Sequence, residues 1–397
     1  MDVLVISSYP EKDQIHGEKT VGVGYYTKAT LLALLKANPN LKFTVWAEIF
    51  DKKDSYWENS IKVERCWRRA SLASLAALFL GAVKNKTRVV ILPFEMFMYG
   101  KFPHVALALV MMLILKLSGK RLVLVVHQVL GGSLSAFEKN PVKAGFFSLL
   151  RKLFYAYLLF VSYRLVVFEE EFKSRLGGGK KLRVIPLAVT QETHIDKAVA
   201  REALGLNKDR RYVLYFGFLS PYKGVIELLD IWERAEGVEL IIGGGGNPNH
   251  LGEESYRNFV DLTMKKAKEK GALVTGFVPE EQMLNYFCGA DLLILPYTVF
   301  MSSSGPLAIA YSQGMGVLFS NALRGYFQSA DMKSALDEAG LQVEDICFDL
   351  QKPVKEKIMW AMQNLDRLNK FSAIMGQVRS WDKLSHDYDQ VLKEADE

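Results

Sequence analysis

Short apolar runs alternate with helix-length segments along almost the whole chain, and this alternation limits the fold more than any single motif. In the first half the strand-like runs lie at 3–7, 42–46, 61–64, 89–93, 122–127, 165–168 and 182–186, with helix-length stretches at 25–37, 105–117 and 143–163. The second half repeats the theme, with strand-like runs at 212–217, 238–243, 273–277, 292–296 and 317–320 and helical periodicity at 225–235, 255–270, 280–290 and 307–313. Such an order is expected of parallel sheets covered by helices on both faces. A chain of 397 residues is too long for one ordinary core and suits two domains of about 150–200 residues each. The expectation is therefore an α/β protein of two Rossmann-like, doubly wound domains in tandem. The first covers 1–190 and the second 191–375, with the polar stretch 190–211 as linker. The final helical run, 371–394, carries Trp381 and Tyr388 on an otherwise charged segment, and about 376–397 is expected to pack back on the first domain.

Composition narrows the function. Half of the residues are hydrophobic and 24% are charged, which marks a folded globular protein. Cys66, Cys288 and Cys347 are far apart and lack CxxC or Cys/His spacing, so neither a disulfide framework nor a zinc site is expected, and a reducing compartment is the simplest setting. The start, MDVLVISSYP, has no basic leader and reads as a first strand.

Charge is unevenly spread. Residues 60–185 hold 21 Lys and Arg against 6 Asp and Glu, an excess of +15, whereas the remainder carries −9. That asymmetry points to a polyanionic partner, either nucleic acid or an anionic membrane. In 143–164 (KAGFFSLLRKLFYAYLLFVSYR) the basic residues stand among large aliphatic and aromatic side chains, and 71–86 and 105–116 are also unusually apolar. No run is expected to reach the roughly 18–20 apolar residues that span a bilayer. Apolar helices with basic edges suit a protein lying on an anionic membrane surface, so no nucleic-acid partner is expected and localisation is read as cytoplasmic, peripheral on the inner face of the membrane.

The densest chemical signal is the segment 291–314. DLLILP reads as a buried strand ending in a loop whose last residues are Ser302, Ser303 and Ser304. Gly305 and Pro306 then open an apolar run through Leu307 that stops at Gly314. Serine hydroxyls, a glycine that exposes backbone and the N–H groups of a helix start suit an anion. Lys223, after the strand and loop YVLYFGFLSPYKG, supplies a cation. With Gly243–Gly246 and the loop after 273–277, four loops follow strands of the second domain and converge on one edge, where open α/β sheets bind ligands. A diphosphate, as in a nucleotide sugar, fits such a pocket. The spacing of 243–246 is not GxGxxG, and no Walker motif or metal constellation is present. No metal is expected.

These segments, FGFLSPYKGVIELLDIW, LIIGGGG, TGFVPEEQMLNYFCGADLLILPY and SSSGPLAIAYSQGMGVLFS, in this order and at this spacing, resemble the donor domain of GT-B glycosyltransferases, specifically the large retaining family 4. The likeness covers most of the chain. GVGYYTKATLLALL (22–35) is similar to that family's glycine-led first helix, VLVVHQ (123–128) to its strand ending in a histidine, and RVIPLAV (183–189) to its crossing between domains. The resemblance implies two domains facing a central cleft, no cofactor, and transfer with retention from GDP-mannose, or failing that a UDP-sugar, to a lipid-linked or glycan acceptor. It places His127 near the donor sugar, where the competing reading is a structural histidine. It gives Gly22 and Gly24 the diphosphate or the acceptor, against close packing of the helix on the sheet. Phe277 and Val278 are implied to present backbone groups to the base. Lys223, Gly243, Ser302, Ser303, Ser304, Gly305 and Leu307 complete the expected donor site, with His127 and Lys223 as its catalytic candidates.

Departures from the pattern are equally specific. Phe218 stands where the family often has an arginine, and Met301 and Ile309 where many members carry two glutamates. A catalytically silent scaffold or partner of an active transferase is the rival reading. Of the remaining polar residues, loop 11–20 is read as acceptor contact or plain surface loop. Glu95 is expected to be a solvated loop glutamate, and Glu169–Glu171 the exposed acidic start of a helix.

Overall fold

Residues of β1 (Asp2–Ser7), β5 (Val89–Phe94) and β6 (Arg121–Val126) are buried at nearly every position, because helices cover both faces of the sheet and leave no wet side. The computed structural model describes residues 1–397 apart from 15–21, 132–140, 192 and 248–249. It divides into two units. One comprises Met1–Pro186, Met301–Ser303 and Trp381–Glu397, the other Leu187–Phe300 and Ser304–Ser380.

In the first unit β1 leads through α1 (Gly22–Ala37) to β2 (Lys42–Glu48), β3 (Asp54–Glu58) and β4 (Ile61–Trp67). Then follow α2 (Leu72–Lys84), β5, α3 (Phe102–Leu117), β6, α4 (Pro141–Val161), β7 (Arg164–Val167), α5 (Glu170–Arg175) and β8 (Leu182–Val184). The sheet order is β3-β4-β2-β1-β5-β6-β7-β8. All neighbours are parallel except the edge hairpin β3–β4, which sequence periodicity did not reveal because DSYWE is polar and exposed along most of its length.

The second unit runs α6 (Lys197–Ala203), β9 (Arg211–Phe216), α7 (Val225–Ile231), β10 (Val238–Gly243), α8 (Glu254–Glu269), β11 (Leu273–Gly276), α9 (Glu280–Gly289) and β12 (Leu292–Leu295). It continues with α10 (Gly305–Ser312), β13 (Gly316–Ser320), α11 (Ala330–Ala339), α12 (Val343–Ile346), β14 (Cys347–Phe348), α13 (Lys355–Gln363) and α14 (Leu365–Val378). Its sheet order is β11-β10-β9-β12-β13-β14, wholly parallel.

The stretch read as a linker is not structureless. Asp196 caps α6 by accepting from Ala198 and Val199 N–H, and Arg201 on that helix reaches the buried Asp291 at 2.8 Å. The first unit ends at Pro186 rather than at 190, since Ile185 N–H still bonds to Val167 O of β7 whereas Val189 N–H bonds to Arg379 O of the second unit. The terminal helical run is likewise two helices. It breaks at Arg379, which is buried and paired with Asp331 at 2.7 Å, and α15 (Trp381–Asp396) belongs to the first unit. There Tyr388 meets Tyr26 of α1, Asn38 donates to Asp389 at 2.8 Å, and Arg164 and Arg183 both pair with Glu394.

One expectation about length needs correction. Among the described residues one helix segment, Val142–Val161, is long and apolar enough to cross a membrane by length and composition. Only one side of α4 is held by the unit, through buried Tyr155, Leu158 and Val161 and a 2.5 Å hydrogen bond from Tyr157 to Leu109 O. The other side leaves Phe146, Phe147, Leu149, Leu150, Leu153 and Phe160 exposed.

Candidate functional site

In the second unit the chain travels outward from β9 to β10 and β11, and in the opposite direction from β12 to β13 and β14. The neighbouring strands β9 and β12 thus send their C-terminal loops apart, and this switch point is where open parallel sheets bind ligands. Lys223 ends a single 3-10 turn, Pro221–Lys223, in the β9 loop. Gly224 follows at φ +68°, and a Cβ there would fall 1.8 Å from Pro296 O, so only glycine lets the β9 loop close on the β12 loop. Thr298 N–H clamps the same junction by donating to Tyr222 O at 2.8 Å. The Lys223 ammonium is thereby held over Gly217, where a Cβ would lie 3.0 Å from Nζ and 3.8 Å from Pro306 at the start of α10. Burial pulls its pKa down to about 8, and among the described residues no carboxylate pairs with it. A desolvated cation beside a helix start is built to take an anion.

The serine loop behaves differently from its sequence reading. Met301–Ser303 belong to the first unit, where Ser302 pairs with Gln128, Val129 N–H bonds to Met301 O at 2.7 Å, and Ser303 donates to Glu169 at 3.0 Å. Ser304 caps α10. Its hydroxyl accepts from Leu307 N–H at 3.4 Å and lies 3.0 Å from Tyr297 Oη, while its own N–H donates to Tyr326. The hydroxyls of Ser303 and Ser304 are therefore engaged by protein groups. Leu307 is buried and its N–H capped, so it contributes to the core rather than presenting a group to a ligand. Pro306 has no N–H, and a Cβ on Gly305 would meet nothing within 4 Å. What the α10 start offers an anion is the Gly305 N–H on an open side.

The glycine run after β10 is sterically obligatory. A Cβ on Gly243 would lie 2.8 Å from Phe216, and Gly244, at φ +134°, would strike Gly217 O at 2.2 Å. The run lets the β9 and β10 loops lie against each other. Beyond β11, Phe277 is exposed and Val278 half-buried ahead of α9. Phe218, also exposed, stacks near-parallel to Phe277 with ring centroids 6.5 Å apart. Ile309 lies on α10 and Met301 with the first unit.

The first unit has its own switch point at β1 and β5. Ser8 after β1 donates to Glu48 at 2.6 Å, and Gln128 after β6 donates to Glu95 at 3.0 Å. Burial raises both carboxyl pKa values, against the opposing hydrogen bond from Ser8 at Glu48 and the pull of Arg69 at Glu95. Glu95 is thus half-buried and hydrogen-bonded rather than freely solvated, and Glu169 is buried rather than the exposed start of a helix. His127 sits edge-on to Tyr26 (4.8 Å) and Phe168 (5.0 Å), with Nε2 buried and unbonded, and burial lowers its pKa to about 3. It is neutral at physiological pH and can donate or accept one hydrogen bond, but carries no charge. Gly24 is buried within α1, while a Cβ on Gly22 would meet nothing within 4 Å. Residues 15–20 of the polar loop 11–20 lie outside the described residues.

Sequence reasoning found Lys223 and the α10 start because each follows directly from local pattern. It missed the pairing of Phe218 with Phe277, of Gln128 with Glu95 and of Ser303 with Glu169, which join residues far apart in the chain. The one available signal was Phe218 itself, an aromatic where an arginine was expected.

Two parallel-sheet units of this topology define a GT-B glycosyltransferase fold. Sucrose-phosphate synthase from Thermosynechococcus elongatus superposes with a TM-score of 0.71 at 14% identity, over 99% of this chain and 98% of that one. Within that class, residues 196–318 match the family model of the glycosyl transferases group 1. Curated relatives include GDP-mannose:glycolipid 4-beta-D-mannosyltransferase of Xanthomonas campestris, 31% identical over 27% of this chain and 29% of its own length. Another is lipopolysaccharide 1,2-N-acetylglucosaminetransferase of Salmonella typhimurium, 22% identical over 49% of this chain and 51% of its own length. The chain spans about half or less of the length of these relatives.

Proposed function

We propose that the protein is a retaining glycosyltransferase that moves a hexose, mannose as first choice, from a nucleotide diphosphate sugar to a lipid-linked or membrane-proximal acceptor. The observation that carries the reading is Lys223. It is a desolvated cation, without a carboxylate partner among the described residues, set over Gly217 and against the start of α10 at the switch point of the second unit, inside the stretch that matches the glycosyl transferases group 1 model. As a sugar–phosphate bond breaks, charge grows on the leaving diphosphate, and a fixed ammonium with a helix start stabilises that charge more than it does the intact donor. Mannose is favoured by the name of the Xanthomonas relative. Thermal unfolding with a panel of nucleoside diphosphates and nucleotide sugars tests the donor. A ligand at a hundred times its dissociation constant stabilises by about 2.7 kcal/mol, and no shift with any of them removes the enzyme reading.

The membrane part rests on α2, α3 and α4. Their exposed side chains include Leu72, Leu80, Phe102, Val110 and Leu117, together with the outer side of α4, and all three helices lie within the basic stretch 60–185. Large apolar side chains exposed on neighbouring helices mark a candidate interaction surface. Because the inner side of α4 is pinned to the unit, the helix is proposed to lie on an anionic inner membrane face in the cytoplasm rather than to cross it. Co-sedimentation with phosphatidylglycerol vesicles and not with phosphatidylcholine vesicles is expected. Equal binding to nucleic acid would favour the alternative polyanion.

A second reading, a catalytically silent scaffold, is favoured by Phe218, Met301 and Ile309 at the positions where Arg and Glu were expected, and by the engagement of the Ser303 and Ser304 hydroxyls. Nucleotide-sugar binding without transfer to any membrane acceptor or to water would decide for it.

A further inference from the structure

Phe218 and Phe277 are two exposed aromatic rings, 38% and 56% accessible, at the C-terminal ends of β9 and β11. Their planes are 20° apart and their centroids 6.5 Å. Rings in face-to-face contact stack about 3.4 Å apart, as successive bases do along a DNA strand, so one planar ring held between two others needs about 6.8 Å. The centroid separation of 6.5 Å is the widest gap the two planes can have, so the rings, both open to solvent, must turn apart by at least a few tenths of an ångström to admit a base. The backbone on each side is fixed. Gly217 N–H bonds to Gly243 O at 2.8 Å and Leu219 N–H to Gly245 O at 2.9 Å, while Phe218 O accepts from Tyr215 Oη at 3.1 Å. Phe277 follows Gly276 at φ +70° and sits against Gly245, where a Cβ would lie 3.1 Å from Phe277 N. The glycine run occupies the space between the strands, so no side chain from β10 enters between the rings.

We infer that Phe218 is a specificity-determining residue that, with Phe277, sandwiches the nucleobase of the donor. The inference rests on the proposed donor function and deepens it. Lys223 takes the diphosphate, while the residue expected to be a second cation is instead the second wall of a base clamp. Binding free energy is thereby moved from phosphate pairing, which salt screens, to stacking, which it does not. Stacking is tolerant of base identity because every base has a π-face, so the clamp selects a nucleoside diphosphate over a bare diphosphate.

The test is calorimetric titration of the wild-type, Phe218→Ala and Phe218→Trp proteins with GDP, UDP and inorganic pyrophosphate. Loss of one stacking wall is expected to weaken nucleoside diphosphate binding about 5- to 150-fold in Phe218→Ala. Phe218→Trp should restore the affinity and show added tryptophan quenching when the nucleotide enters. Pyrophosphate affinity should be the same in all three. If Phe218→Ala binds nucleotides within twofold of wild type, or loses pyrophosphate in the same proportion, the clamp is wrong while the donor reading stands. A folded wild-type protein that binds none of the three ligands overturns both.

Discussion

Burial lowers the pKa of Lys223 from 10.5 to about 8, and its charge is what the proposed site uses. Removing a cation from water disfavours the charged form, so the free protein gives up this proton well below the ordinary lysine range. A bound diphosphate restores the charge by pairing with it. With a free-protein pKa of about 8, about 90% of the protein carries the ammonium at pH 7 and about 10% at pH 9. If only the charged form binds, nucleoside diphosphate affinity falls about tenfold over that interval, about 1.4 kcal/mol. The Lys223→Gln variant has no titrating group there. At pH 7 it should bind more weakly by about 1.5–3 kcal/mol, the usual worth of a charge-assisted hydrogen bond. Titration calorimetry of both proteins at pH 7, 8 and 9 and constant ionic strength supplies the comparison, since the ratio of their affinities cancels any ionisation of the ligand. Equal affinities of the two proteins, within twofold at all three pH values, would falsify the assignment of the anion site to Lys223.

Two further outcomes test how the second unit holds its site. Asp291 is fully enclosed and receives Tyr212 N–H, Lys197, Arg201 and Arg211. Asp291→Ala strands Arg201 without its partner and is expected to cost about 3–5 kcal/mol in urea unfolding, a loss below about 1 kcal/mol being incompatible with the pairing. Burial opposes ionisation of Asp291, but the Tyr212 N–H and the neighbouring cations win and hold its carboxyl below 3.8. The wild-type contribution is therefore complete above pH 3.8 and disappears as pH falls through the lowered value. Gly224→Ala forces a Cβ onto Pro296 O at φ +68°, combining overpacking of about 1–3 kcal/mol with a left-handed backbone cost of about 1–2 kcal/mol. Its melting temperature should drop by several degrees together with nucleotide affinity, and an unchanged melting curve would show that the two loops are not locked there. For the membrane surface, the triple substitution of Leu149, Leu153 and Phe160 by Ser should abolish vesicle co-sedimentation and leave nucleotide affinity in solution unchanged. Retained co-sedimentation would move the contact elsewhere.

Local pattern along the chain specified the two parallel sheets, since a strand buried on both faces must be apolar throughout and a crossover helix must follow it. It also determined Lys223 and the helix start after the serines, which are local features of strand, loop and cap. The edge strand β3 escaped because an exposed hairpin carries no such pattern. Which groups a ligand can reach depends on contacts between distant parts of the chain. Ser303 looked like a free hydroxyl until Glu169, 134 positions away, accepted its hydrogen bond, and Ser304 is fixed by Tyr297 and Tyr326. Glu95 gained a hydrogen-bond donor in Gln128, and Phe218 gained a facing ring only when β11 set Phe277 opposite it. Periodicity records which side of an element is buried, whereas a polar atom's partner is set by chain that folding brings from elsewhere.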